Sequence, residues 1–291
     1  MTARPYQTRA NRLFLPISGR FYFSSWQPQG KIEVSRLFRT RLNQWVALMG
    51  VIMLALPTYA FAQPTVDHAG WHALLRRHVN EQRLVDYVAL QQERAVLDAY
   101  LASLAEAQPS SWSKDGQLAF WINAYNACVF KGVLDHSPLK SVRDVKGFFE
   151  KLTYPVAGEP LTLNAIEAKG RALGDWRLHV GVVCASSSCP ILRAEAYQPG
   201  RLTQQLDEQA VRFLNDQTRG FRVEGTSMWV SKIFQWYAKD FVPSGPVTPA
   251  TLWPLIDRYI TREESFFTDP NRLTLKFLDY DWTLNQQGGD G

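Results

Sequence analysis

Residues 179–190 read HVGVVCASSSCP, an apolar run that enters a loop of small residues bracketed by Cys184 and Cys189. Two chemistries fit these residue types. In the first, Cys184 is a nucleophile and His179 takes its proton. An asparagine or carboxylate orients the imidazole, and the backbone N–H groups of residues 185–188 face a developing oxyanion. In the second, Cys184 and Cys189 close a six-residue disulfide ring, and His179 and Arg177 are strand residues bonded to their neighbours. That bond excludes Cys184 as a resting nucleophile. A thioredoxin-type couple fits less well, because the spacing is C-x4-C and not C-x-x-C. A metal held by Cys184, Cys189, His179 and Glu167 is a third option, without the paired C-x2-C or H-E-x-x-H spacing of such sites.

Other polar residues fall in apolar surroundings. Asn123 and Asn126 lie in DGQLAFWINAYNACVFKGVL, a segment apolar on nearly every side, which predicts a buried central helix from Asp115 to Leu134. A buried amide without partners costs a few kcal/mol, so each is expected to hold a neighbouring backbone or to orient a reacting group. Glu167 and Arg177 complete the set. Asn123, Asn126, Glu167, Arg177, His179 and Cys184 are therefore the candidate catalytic residues, because convergent buried polarity marks a site. Lys232, Trp236 and Asp240 share one stripe of a helix capped by Ser231, which can line a cleft or face solvent. His68, His72 and His78 are irregularly spaced and read as a solvated face. No cofactor is expected.

The elements that must position these residues follow from period and punctuation. Two amphipathic helices fill residues 71–104, and a hairpin turns near Gly158-Glu159-Pro160 before a short helix LNAIEAKGRA. Residues 176–184 alternate as a strand, which places His179 and Cys184, five apart, on opposite faces unless the strand ends or bulges first. A helix over residues 201–214, a hairpin around Glu224-Gly225-Thr226, a helix near residues 252–260 and a strand LTLKFLDYDW complete the chain. The expectation is a single α+β domain, with a mostly antiparallel sheet packed on the central helix and further helices around it.

The formal charge of +5 is concentrated at the front. Residues 1–41 carry eight bases and one acid, residues 42–62 no charge, and residues 63–291 carry 24 bases and 26 acids. Arg36, Arg39 and Arg41 precede the apolar run WVALMGVIMLAL, Pro57 and the small-x-small site Ala60-Phe61-Ala62, the grammar of an export signal. Residues 1–62 thus read as a leader, with an over-extended start before the signal peptide, and residues 63–291 as the exported domain. Cleavage after Ala62 gives a periplasmic or secreted protein with no membrane span, since the run is shorter than the roughly 20 residues a span needs. The basic excess leaves with the leader, so nucleic acid is not an expected partner. A small molecule or peptide of the cell envelope is, its identity and the oligomeric state being unspecified. Three cysteines in an oxidising compartment favour one disulfide and one leftover thiol.

The motifs AFWINAYNA (119–127), RLHVGVVCASSSCP (177–190), VSKIFQWYAKDF (230–241) and LDYDWTLN (278–285), in this order and spacing, resemble the family known as domain of unknown function 547 (DUF547). The resemblance runs from about Trp71 to Asn285. Its recurrent positions fall on Trp121, Asn123, Asn126, Glu167, Arg177, His179, Cys184, Cys189, Pro190, Trp236, Asp240, Asp281 and Trp282. One departure is Ala168, where the family often has histidine or asparagine after the Ile-Glu pair; an arginine expected further on is displaced to Arg171. The family name carries no activity, so two functional classes stand. One is an envelope hydrolase or acyl/amide transferase, thiol-dependent or acid-base. The other is a non-catalytic binding or scaffold domain pinned by the disulfide.

Overall fold

The structure is a computed structural model in which residues 65–261 and 269–288 are described. The expected leader lies outside the described residues. Helices α1 (Ala69–His78), α2 (Tyr87–Gln92) and α3 (Arg94–Ala105) lead to the central helix α4 (Lys114–His136). Helix α4 starts where the Ser113 side chain accepts a hydrogen bond from the Gly116 N–H, 3.1 Å, with Asp115 in the positive first turn. Its residues from Leu118 to Phe130 are buried without a break, so it is the axis of the core. Trp71 of α1 stacks on Tyr100 of α3 and meets Phe130 of α4 edge-on, centroids 5.0 Å apart. His68 and His78 are buried, contrary to the solvated face expected of them: His68 Nδ1 bonds Tyr100 Oη at 2.7 Å and His78 bonds Glu93 at 3.0 Å. The third cysteine, Cys128, is a free thiol inside the core.

Strands β1 (Thr153–Val156) and β2 (Glu159–Thr162) form an antiparallel hairpin with Thr153 opposite Thr162. Its turn residues, Ala157 and Gly158, both have positive φ, the twist a two-residue hairpin needs. The Thr162 side chain then caps α5 (Leu163–Arg171). Gly170 lets α5 lie directly on its neighbours, since a Cβ there would meet the Leu178 and Trp121 side chains. A second sheet holds β3 (Phe221–Glu224) and β4 (Ser227–Val230) antiparallel, with β5 (Thr274–Phe277) added parallel to β4. With α7 (Leu202–Leu214) and α10 (Pro249–Ile256), this is the α+β architecture expected, two small sheets arranged around helices.

Two local expectations fail. Residues 176–184 are not a strand: Leu178–Gly181 is a single helical turn, α6, followed by extended backbone. The helix capped by Ser231 breaks at Tyr237 into α8 (Ile233–Trp236) and α9 (Ala238–Phe241), so Lys232, Trp236 and Asp240 do not form one stripe. Among the described residues no helix is long and apolar enough to cross a membrane.

A candidate active-site pocket

The α6 turn corrects the face argument. With helical backbone at His179 and extended backbone from Val182 onward, the odd spacing no longer separates the two side chains, and His179 and Cys184 line the same pocket. The cavity measures about 270 Å³ and is also walled by Glu167 of α5, Tyr125 of α4, Phe149, Trp236, Tyr237, Tyr280 and Trp282. Trp236 and Tyr237, at the break between α8 and α9, and Tyr280 and Trp282 of the C-terminal segment close it against α6 and the cysteine loop.

Asn126 sets the path of the backbone that carries Cys184. Its Nδ2 donates to the Gly181 carbonyl at 2.9 Å and its Oδ1 accepts from the Val183 N–H at 2.8 Å, all of it buried. Asn123 does the same for another segment, bonding the Tyr197 carbonyl (2.9 Å) and N–H (3.0 Å). Both amides therefore bridge backbones, and neither lines the pocket. Arg177 is also outside it: its guanidinium donates to Asp175 and to Asp207 at 2.8 Å, tying α6 to α7. Of the six expected site residues, Glu167, His179 and Cys184 face the cavity, Asn126 positions it, and Asn123 and Arg177 hold the fold.

After Cys184 the chain turns sharply at Ala185, φ +61°, a left-handed conformation that costs a residue with a Cβ about 1 kcal/mol. The C-terminal segment clamps the loop there: Asn285 N–H donates to the Ala185 carbonyl (3.1 Å), Ser187 N–H to Thr283 (2.8 Å) and Asp281 N–H to Ser188 Oγ (2.8 Å). Cys184 and Cys189 are paired at disulfide distance, their Cα atoms 6.3 Å apart. Cys184 is half-buried and Cys189 is buried, and both line the pocket. Tyr280 donates its hydroxyl to Cys189 Sγ at 3.2 Å, and the Cys184 N–H donates to the same sulfur at 3.0 Å.

His179 is held by a residue outside the expected six. Its Nε2 lies 2.7 Å from Asp240 Oδ2, and Arg171 grips the same carboxylate through Nε and, at 3.0 Å, Nη2. Burial lowers the His179 pKa to about 4, against the opposing pull of Asp240, so the imidazole is neutral at pH 7. A neutral ring that donates Nε2–H to Asp240 keeps its lone pair on Nδ1. The Arg171 guanidinium, more than His179, holds Asp240 below the usual carboxylate range. The Glu167 carboxyl moves the other way: burial raises it, partly opposed by the hydroxyl of Tyr237, which donates to Oε2 at 3.1 Å. Oε1 is buried without a hydrogen-bond partner. Tyr237 lies between these groups, its ring 4.2 Å from the His179 ring and 5.0 Å from the Arg171 guanidinium. Ala168, the departure noted in the sequence, is exposed, and Glu167 takes Tyr237 as its partner instead.

Asp240, Arg171, Tyr237 and Tyr280 are the site residues the chemistry-bearing motifs missed. Two of them carried a signal: Asp240, as a recurrent position of the family resemblance and part of the expected cleft stripe, and Arg171, as the family's displaced arginine. Among the described residues no group of three or more His, Cys, Asp or Glu side chains is gathered as a metal site.

Residues 109–214 match the family model described as "Protein of unknown function, DUF547", which bears out the resemblance over the stretch from the central helix through α7. That stretch contains Asn126, Glu167, His179, Cys184 and Cys189 and excludes Asp240, Tyr237 and Tyr280. No curated protein and no solved structure matches the chain.

Proposed function

We propose that the chain is a hydrolase or acyl/amide transferase whose pocket works by acid-base catalysis. The observation that carries this reading is the opposed pKa shifts of two groups lining one cavity, a carboxyl pushed up (Glu167) and an imidazole pushed down (His179). Such pairs supply a proton donor and a proton acceptor at the same pH. His179 Nδ1 takes the proton of the attacking nucleophile, Asp240 fixes the ring and its tautomer, and Glu167 protonates the departing oxygen or nitrogen. With Cys184 in the disulfide, the nucleophile is water or an acceptor hydroxyl or amine; with Cys184 reduced, the thiol is available in the same cavity. The aromatic walls exclude water and fit a substrate with an apolar face.

Export to the periplasm or outside the cell belongs to the same proposal. It is supported by the charge pattern of residues 1–62 and by the paired cysteines, which persist in oxidising compartments. The second reading, a non-catalytic envelope binding domain, is favoured by one observation: Asn123, Asn126 and Arg177 are all spent on backbone or ion-pair contacts.

A panel of p-nitrophenyl esters and anilides, assayed with wild type, His179→Asn and Glu167→Gln, separates the two. Turnover that falls by about 100-fold in each variant, a general acid or base being worth 10²–10⁴, supports the enzyme. Wild-type turnover equal to that of both variants across the panel refutes it.

A further inference from the structure

The cysteine pair forms part of the cavity wall, with Cys184 half-buried and Cys189 buried. We infer that Cys184–Cys189 is a thiol–disulfide exchange site that opens onto the pocket, attacked at Cys184 by a small neutral or cationic thiol. The inference needs no acyl chemistry and stands apart from the proposed function. Four observations carry it. Both sulfurs line the pocket, and Cys184 is the more accessible, so an incoming thiolate meets Cys184 Sγ first. The sulfur then expelled, Cys189 Sγ, already accepts hydrogen bonds from the Tyr280 hydroxyl at 3.2 Å and from the Cys184 N–H at 3.0 Å. Donors aimed at a leaving thiolate stabilise it and speed its departure. His179, neutral and in the same pocket, can accept the proton of the incoming thiol. The titratable lining includes Glu150 and Glu167 but no lysine or arginine, which disfavours anionic thiols.

The chemistry balances in two steps. A thiolate attacks Cys184 Sγ, the Cys184–Cys189 bond breaks, and its electron pair leaves on Cys189 as thiolate while the new bond joins Cys184 to the incoming sulfur. A second thiol attacks that mixed disulfide at the incoming sulfur and releases Cys184 as thiolate. Two thiols are oxidised to one disulfide and the protein disulfide is reduced to two thiols, the two protons passing by way of His179 and solvent to the Cys184 and Cys189 thiolates. The pocket supplies here what the C-x4-C spacing alone does not suggest.

The test uses the intact oxidised protein, folded, with cysteamine as the thiol. Acid-quenched time points are alkylated and mapped by mass across residues 179–193. The expected result is a transient cysteamine adduct on Cys184 with Cys189 alkylated, formed faster than in the same protein unfolded in urea. The Tyr280→Phe variant should form it about tenfold more slowly, a hydrogen bond to a charged sulfur being worth at least that. An adduct on Cys189, or a pair that reacts only after unfolding, overturns the inference. If Tyr280→Phe does not fold, the wild-type map still decides between Cys184 and Cys189. Ester turnover by His179→Asn is read separately, so failure of exchange and failure of acid-base catalysis are distinguishable.

Discussion

Replacing Asn126 by alanine removes both hydrogen bonds that fix the backbone entering the cysteine loop. The side chain bonds the Gly181 carbonyl at 2.9 Å and the Val183 N–H at 2.8 Å, and Asn126, Gly181 and Val183 are all buried. The truncation leaves one buried donor and one buried acceptor without partners, each costing about 1–3 kcal/mol. The expected loss is therefore about 4 kcal/mol. Urea unfolding followed by tryptophan fluorescence measures it, with the cysteines kept oxidised in both proteins. For an m-value of about 2–3 kcal/mol/M, suited to a domain of this size, the midpoint should fall by about 1.3–2 M. Release of the Gly181 carbonyl and Val183 N–H should also raise amide exchange at residues 181–184 beyond the global change. A midpoint shift under about 0.3 M with unchanged m refutes the reasoning, because it means the two backbone groups find other partners at little cost.

Acid should destabilise the fold through His68 and His179, whose folded pKa values of about 4 lie below the ordinary 6.5 because burial disfavours their charge. Between pH 6.5 and 4 the unfolded chain binds more protons than the folded one, so stability falls with pH across that window, by about 2 kcal/mol per histidine at pH 5. Glu167 has the opposite sign: its raised folded pKa favours the native state at low pH, and that contribution is lost as pH rises through the folded value. Urea titrations at pH 7, 6 and 5 check the net slope, which should be shallower in His179→Asn; equal midpoints at all three pH values would sink the assignment. Gly220→Ala should cost more than about 3 kcal/mol, because the added Cβ runs into the Phe213 carbonyl at the end of α7 and neither backbone can yield. Gly200→Ala, with open space around it, should leave the thermal midpoint within a degree or two.

Much of this molecule is local enough to be read from the chain. The central helix announces itself because a segment apolar on every side can only be buried, and the two hairpins because each turn holds a glycine, Gly158 or Gly225, in left-handed backbone. The pairing of Cys184 with Cys189 is legible for the same reason: the four small residues between them allow the two sulfurs to meet whatever the rest of the fold does. The bridging role of Asn123 and Asn126 follows from the cost of burying an amide. What they bridge to, Tyr197 and Gly181–Val183, does not.

The site itself was decided by tertiary structure. The segment at residues 176–184 alternates like a strand although residues 178–183 are all buried, and in a buried stretch the pattern no longer distinguishes strand from helix. With no neighbouring strand to pair with, its backbone groups are satisfied by one helical turn and by Asn126, and that turn brings His179 onto the side of Cys184. Asp240 lies 61 residues beyond His179, and Tyr280 91 residues beyond Cys189. Side chains that far apart have no shared period in the sequence. Only the packing of α9 and the C-terminal segment against α6 and the cysteine loop sets the tautomer of the base and the donors on the sulfur.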